Sequence, residues 1–208
     1  PWVERVYDRE AHCLTAEGYK NDRTVRESGF DLTNRFGFCG LQARDYLPVC
    51  LNTLLWMMEK DIAAIRRLLE SAPESIAHWE QLASDRAQHM HTYFWDEAAG
   101  LFNDWQLERQ ERSQYAYATT FMPLWAGWAT AEQAAAVVRR LPDFLAPGGL
   151  QASLETTGCQ WDAPFTWAPL VLMASRGLAA YGFADEAMDV SCRFLNLAVT
   201  EFDRTGLL

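Results

Sequence analysis

Two short segments carry side chains whose types and spacing suit a polyhydroxylated ligand. Residues 160–169 place an amide, a carboxyl and two indoles on a segment stiffened by two prolines. Amides and carboxylates hydrogen-bond to hydroxyl groups, and an indole can lie against the flat face of a sugar ring. The side chains that this pattern assigns to carbohydrate binding are Gln160, Trp161, Asp162 and Trp167.

A second carboxyl, Asp31, lies far upstream in a segment with chemistry of its own. Gly29 lets the backbone come close to a ligand, and Phe30 supplies an apolar wall. An apolar wall disfavours the ionised carboxyl, so Asp31 is a candidate general acid near neutral pH.

Each segment also has a simpler interpretation. Asp31 could cap a short helical segment over residues 32–34, which is the usual role of an aspartate in that position. Residues 160–169 could form a buried loop in which the tryptophans pack and Asp162 caps the helix after Pro169. Ten residues of this composition favour the ligand-binding interpretation for both segments.

Helices must position these segments, because apolar residues recur at intervals of three and four over most of the chain. The predicted helices cover residues 49–69, 74–94, 120–128, 131–141, 169–181 and 185–202. Thr130 is expected to cap the fourth helix and Gly182 to end the fifth. Residues 1–45 are charged and contain several glycines, so we expect mostly loop there.

The helix over residues 49–69 is expected to bury one face. Its apolar positions are Leu51, Leu54, Leu55, Met58, Ile62, Ile65, Leu68 and Leu69. This spacing is typical of an amphipathic helix.

Six helices joined by short connections predict an all-α fold for a single domain over residues 1–208. Only a turn at residues 96–100 and an alternating stretch at residues 101–105 indicate a hairpin of strands. A ring of helical hairpins explains why the unusual residues lie in loops next to helices. A plain helical bundle fits the periodicity equally well.

Composition excludes several classes of partner. The 28 acidic residues outnumber the 18 Lys and Arg residues, and the net charge of −10 opposes nucleic-acid binding. No apolar run reaches the roughly 18–20 residues that a membrane helix needs. Residues 1–10 lack a secretory signal pattern, which favours a cytoplasmic location. The five cysteines lack the spacing of a zinc site or a disulfide framework, so we expect reduced thiols and no metal.

Residues 160–169 resemble the second signature of the trehalases, glycoside hydrolase family 37. The matching positions are Gln160, Trp161, Asp162, Pro164, Trp167 and Pro169. Residues 27–31 resemble the family's Ser-Gly-Trp-Asp segment, with Phe30 in place of the tryptophan. Residues 51–60 and 148–154 are also similar to family segments, so the resemblance covers about residues 25–208.

This resemblance implies an (α/α)6 toroid, of which the chain supplies a C-terminal part of the ring. It implies inverting hydrolysis of α,α-trehalose to glucose without a cofactor, with Asp31 as the general acid. The residues that it places against the disaccharide are Gly29, Phe30, Arg35, Gln160, Trp161, Asp162 and Trp167. The family's general base is expected beyond Leu208, and Glu155 and Glu201 are weaker candidates.

Three alternatives remain open. Hydrolases of glucosylglycerate or mannosylglycerate share part of the first segment. A carbohydrate-binding or scaffold domain could keep the cleft without a base. A helical interaction module would use the tryptophans only for packing.

Overall fold

The computed structural model describes residues 2–207 and is mainly helical. The α-helices are α1 (Trp2–Val6), α2 (Ala16–Glu27), α3 (Val49–Leu68), α4 (Pro73–Phe94), α5 (Met122–Ala126), α6 (Ala131–Phe144), α7 (Ala168–Ala180) and α8 (Ala184–Thr205). Short 3-10 helices cover Phe38–Gly40, Ala43–Asp45 and Ala118–Phe121. All six predicted helices are present, although residues 120–128 divide between a 3-10 turn and α5.

The strands have two residues each and form small antiparallel ladders. They are β1 (Tyr7–Asp8), β2 (Cys13–Leu14), β3 (Tyr46–Leu47), β4 (Trp95–Asp96), β5 (Leu101–Phe102), β6 (Trp105–Gln106), β7 (Glu111–Arg112), β8 (Leu145–Ala146) and β9 (Gly149–Leu150). The pairs are β1 with β2, β3 with β6, β6 with β7, β4 with β5, and β8 with β9. The β4–β5 hairpin closes at the turn predicted for residues 96–100, and both residues of β5 are buried.

Helices α3 and α4 form the predicted antiparallel hairpin. Pro73 opens α4 in its first turn, where a missing N–H costs nothing. Arg86 of α4 binds Glu59 of α3 at 2.7 Å, whereas Arg67 later in α3 binds Glu80 earlier in α4. The two ion pairs therefore join an earlier position of one helix to a later position of the other, as antiparallel helices require. They fix the register of the hairpin.

The face of α3 that is buried differs from the sequence prediction. The buried positions include Val49, Thr53, Trp56 and Ala63. The predicted apolar face is largely exposed, at Leu51, Leu54, Met58, Ile65, Leu68 and Leu69. The prediction was wrong because α3 carries apolar residues on both sides, and apolar spacing alone does not indicate which side meets a neighbouring helix.

The prediction of loop for residues 1–45 was also wrong over much of its length. The hydroxyl of Thr15 caps α2 by accepting the Gly18 N–H at 3.1 Å. Pairs four residues apart stabilise the exposed side of α2, such as Arg23 with Glu27. Because α2 buries only Gly18, Asn21 and Val25, its sequence is polar enough to be mistaken for a loop.

The second half of the chain is held by close helix contacts. Thr130 and Gln133 form a capping box at the start of α6, which confirms the predicted cap. Helix α7 lies so close to α5 that a Cβ atom at Gly177 would be 2.6 Å from the backbone nitrogen of Trp125. Gly182 follows the end of α7 in the left-handed conformation, as predicted. Over the described residues, no helix has the length and apolarity needed to cross a bilayer.

The main core lies between α3 to α8 and the short strands. Its largest enclosed side chains include Phe102, Phe121, Phe144, Leu124 and Leu178. A smaller cluster of Val25, Phe36 and Ala43 lies under α2. The chain segments that connect α2 to α3 and β9 to α7 carry the predicted functional residues.

His91 of α4 generates a prediction about pH. Its ring packs edge-on against Trp128, with centroids 5.2 Å apart, and burial lowers its pKa below the usual 6.5. The unfolded chain therefore binds this proton more readily, so the contribution of His91 to stability is fully present above pH 6.5 and is lost as pH drops through the lowered pKa. We expect His91→Gln to flatten the dependence of Tm on pH between neutral and mildly acid conditions. The exposed His78→Gln on the same helix is the control, and equal slopes for both variants would contradict the assignment.

Candidate active site

The two predicted segments meet in the structure. We call residues 28–35, which follow α2, the acid loop, and residues 155–167, which precede α7, the signature loop. The backbone N–H of Trp161 donates to the carbonyl of Leu32 at 3.1 Å, and the amide of Gln160 donates to the backbone carbonyl of Asp31. Side chains separated by 129 positions in sequence therefore form one site.

Asp31 is the carboxyl of the acid loop, and its side chain reaches the surface. Its side chain is 35% exposed, and its nearest cation is the guanidinium of Arg26, 3.7 Å away. Gly29 has φ +83°, a left-handed conformation that glycine adopts without strain and that turns the chain from α2 into the loop. No helix covers residues 32–34, so the capping alternative for Asp31 is wrong.

Aromatic rings stand beside Asp31. The Phe30 ring meets Trp161 edge-on at 5.0 Å and Tyr117 at 5.7 Å. Trp161 and Trp167 stack nearly parallel, with centroids 4.2 Å apart and an interplanar angle of 8°. Since each indole covers one face of the other, the stack can offer a flat outer face to a sugar.

Gln160 and Trp167 use their donors within the site. The indole N–H of Trp167 donates to the carbonyl of Gln160 at 2.8 Å, while the Gln160 amide group donates to the carbonyl of Asp31. These two bonds connect the stacked indoles to the acid loop. A ligand would therefore meet the ring faces rather than the indole N–H of Trp167.

Asp162 was predicted to bind substrate hydroxyls, but the structure encloses it. The residue is 0% exposed. Its carboxylate accepts the hydroxyls of Thr33 and Thr157 at 2.7 and 2.6 Å and the backbone N–H of Asn34 at 2.8 Å. It does not cap α7, whose N-cap is Trp167. Three donors satisfy the carboxylate, so it joins the two loops instead of meeting a ligand.

Arg35 was also predicted to contact substrate, and it too is buried. Its guanidinium forms two bonds with Asp104, from Nε at 2.6 Å and from Nη2 at 2.7 Å. Burial alone would lower its pKa, but the charge and hydrogen bonds of Asp104, together with the neighbouring Cys50 and Tyr117, outweigh burial and the net shift is upward. The guanidinium also lies over the rings of Phe30 and Tyr117, at 5.3 and 4.6 Å from their centroids. We call the rings of Phe30, Tyr117, Trp161 and Trp167 the aromatic wall. Arg35 thus packs against two rings of this wall, Phe30 and Tyr117.

The sequence did not indicate two further residues, Asp104 and Tyr117, that hold the site in place. Asp104 binds Arg35 and also accepts the N–H of Val49, which begins α3, at 2.8 Å. Tyr117 donates its hydroxyl to the carbonyl of Trp161 at 2.5 Å, and burial raises its pKa despite the opposing charge of Arg35. The sequence signal was weak, because a single acid after β5 and a single tyrosine have no distinctive spacing.

A cavity of about 670 Å³ opens beside the acid loop. Gly29, Phe30 and Trp161 line it, together with exposed side chains of α3 such as Leu51 and Leu54. Asp31, Gln160 and Trp167 are not among its lining residues. The cavity therefore adjoins the predicted site through its aromatic wall, and most of its surface is apolar.

The matches to known proteins extend over most of the chain. The family model named Trehalase matches residues 6–208. This chain belongs to the trehalase family. A probable trehalase of Saccharomyces cerevisiae is 37% identical over 211 residues, which cover 91% of this chain and 26% of the relative. A cytosolic neutral trehalase of Emericella nidulans is 34% identical over 214 residues, which cover 89% of this chain and 28% of the relative.

A solved trehalase shares the fold. The neutral trehalase Nth1 from Saccharomyces cerevisiae superposes with a TM-score of 0.81 at 35% identity, over 92% of this chain and 38% of that chain. The all-α toroid type predicted from the sequence is thereby confirmed. This chain spans about a quarter of the length of the curated trehalase relatives that it matches.

Two other acids of this trehalase-family chain were weaker candidates for a general base. Glu155 is exposed in the signature loop, and its backbone carbonyl accepts the N–H of Ala163. Glu201 is exposed near the end of α8 and forms two bonds with Arg204. Within residues 2–207, no three His, Cys, Asp or Glu side chains are grouped closely enough to hold a metal ion.

The buried ion pair predicts a large loss of stability in this trehalase-family site. Asp104→Asn leaves the Arg35 guanidinium buried without its counter-ion, so we expect a loss of about 3–5 kcal/mol in the free energy of unfolding. Arg23→Ala, which breaks an exposed pair with Glu27, should cost roughly 1 kcal/mol or less. Urea unfolding measures both variants. Similar small losses for the two would mean that the buried pair does not hold the site together.

Proposed function

We propose that this chain supplies the general acid and one wall of the active site of an α,α-trehalase that works with inversion. The observation that carries this proposal is the contrast among three carboxyls. Asp104 and Asp162 are buried and bound by protein donors, whereas Asp31 is partly exposed beside an aromatic wall. Only Asp31 of these three is placed to give a proton to a bound substrate.

The reaction needs one proton donor and one base. Asp31 protonates the glycosidic oxygen as the bond to the anomeric carbon breaks, and a water molecule attacks that carbon from the opposite face. A second carboxylate takes the water's proton, and in inverting enzymes it lies roughly 6.5–9.5 Å from the acid. We assign this base to a part of the protein outside residues 1–208. The products are two glucose molecules.

We assign recognition of the substrate to the residues of the site that are accessible at the protein surface. The stacked pair of Trp161 and Trp167 offers an apolar plane to a pyranose ring, and the Phe30 ring stands edge-on to Trp161 beside the acid. Gln160 keeps the stack close to Asp31, and Gly29 leaves room at the turn. Arg35 and Asp162 act by positioning these residues.

Supporting observations come from the relatives. Proteins named trehalase match nine-tenths of this chain, including both the acid loop and the signature loop. A relative is named as a cytosolic neutral trehalase, and we accordingly propose a cytoplasmic location and a disaccharide substrate for this protein.

Replacement of the acid tests the proposal directly. In the full-length protein, Asp31→Asn removes the proton donor, and we expect kcat for glucose release from trehalose to fall by about 10²–10⁴-fold. Asp22→Asn is the matched control because Asp22 also binds Arg26 but lies on α2 outside the loop. Equal activities of Asp31→Asn and the wild type would refute the assignment. Turnover of mannosylglycerate or glucosylglycerate in place of trehalose would move the protein to the alternative substrate class.

The aromatic wall predicts how binding should respond. In the inactive Asp31→Asn protein, trehalose should quench tryptophan fluorescence, and a further Trp161→Ala change should raise its Kd about tenfold through loss of the stacked plane. Trp79→Ala on α4 is the control. Quenching by trehalose without turnover in the wild type would favour a binding domain, and no quenching at all would favour tryptophans that only pack.

A further inference from the structure

Two cysteines lie where the acid loop and the signature loop meet. Cys39 is in the 3-10 helix just after the acid loop, and Cys159 is in the signature loop beside Gln160. Neither residue has a part in the proposed reaction. Both thiols are free and partly exposed.

A shared partner holds these cysteines together. The amide oxygen of Asn34 accepts the backbone N–H of Cys39 at 2.8 Å and the thiol of Cys159 at 3.6 Å. The Cys159 thiol also contributes to the raised pKa of the Cys39 thiol, so the two thiols are neighbours. The backbone N–H of Asn34 in turn donates to Asp162, so the thiol pair lies next to the carboxylate that joins the loops.

The remaining cysteines have different surroundings. Cys13 and Cys192 are exposed on β2 and α8. Cys50 is buried, and its sulfur lies 3.5 Å from the guanidinium nitrogens of Arg35. An oxidant in solution can reach Cys13 and Cys192, but only Cys39 and Cys159 combine partial exposure with a second thiol held at the same Asn34 side chain.

We propose that Cys39 and Cys159 form an oxidisable site, at which a low-molecular-weight disulfide such as glutathione disulfide converts the pair to an internal disulfide. The resulting bond would fix the acid loop against the signature loop. Oxidation requires only the two thiols and the oxidant, so it is independent of the reaction proposed above.

The exchange proceeds in two steps. The thiolate of Cys159 attacks one sulfur of the oxidant, which forms a mixed disulfide and releases one glutathione thiolate. Cys39 then attacks the Cys159 sulfur, which forms the internal disulfide and releases the second glutathione. The two protons of the cysteines pass to the two departing thiolates. The cysteines are oxidised and the glutathione disulfide is reduced.

The order of attack follows from the surroundings of Cys39. Burial, the neighbouring Cys159 thiol and the Asp162 carboxylate raise the pKa of the Cys39 thiol. Because the thiolate is the attacking species, Cys39 is poorly suited to the first step. It is well placed for the second, in which it meets a sulfur that is already its neighbour.

The test uses the protein with Cys13→Ser and Cys192→Ser, which removes the exposed competitors. After incubation with glutathione disulfide, peptide mapping without reduction should show the Cys39 and Cys159 peptides joined, with the mass of two hydrogen atoms lost. Tm should rise by several degrees, because a cross-link that closes a long loop restricts the unfolded chain. Dithiothreitol should reverse both changes.

Single replacements separate the steps. With Cys39→Ser, a glutathione adduct should accumulate on Cys159 and Tm should stay near that of the reduced protein. Circular dichroism of each reduced variant establishes that it is folded. A persistent glutathione adduct on Cys159 while Cys39 is present would overturn the proposal. Recovery of the Cys39 and Cys159 peptides with both thiols still free after the incubation would also overturn it.

Discussion

The buried ion pair of Arg35 and Asp104 is the interaction on which the rest of the site depends. Burying two charges is costly, and only a paired, hydrogen-bonded geometry offsets that cost. Here two bonds join the groups, and Asp104 also holds the first N–H of α3. The guanidinium then supports the rings of Phe30 and Tyr117. One pair therefore links a helix start, the acid loop and the aromatic wall.

Asp162 performs the second structural task, which is to join the loops. It accepts two hydroxyls and one backbone N–H from both sides of the site. The three aspartates of the site thus have different roles, which depend on how deeply each one is buried. Asp104 and Asp162 accept hydrogen bonds from protein donors, while Asp31 remains partly exposed, and this difference supports our proposal that Asp31 is the proton donor.

Sequence periodicity predicted the helices well wherever an apolar stripe repeats at three and four. It did less well in two places. The sequence of α2 was predicted to be a loop, because this helix is stabilised by a cap and by charge pairs rather than by an apolar stripe. The buried side of α3 was misjudged because both of its sides are apolar, and the side that packs depends on neighbours distant in sequence.

The sequence by itself determined the trehalase family, the six main helices and the two segments that carry Asp31 and residues 160–169, because family motifs and helical spacing are local patterns. Only the tertiary structure decided what each polar residue does. Arg35 and Asp162 were predicted to touch a ligand, and both are enclosed. Burial and partnership arise from contacts between positions such as 35 and 104, which no local pattern specifies.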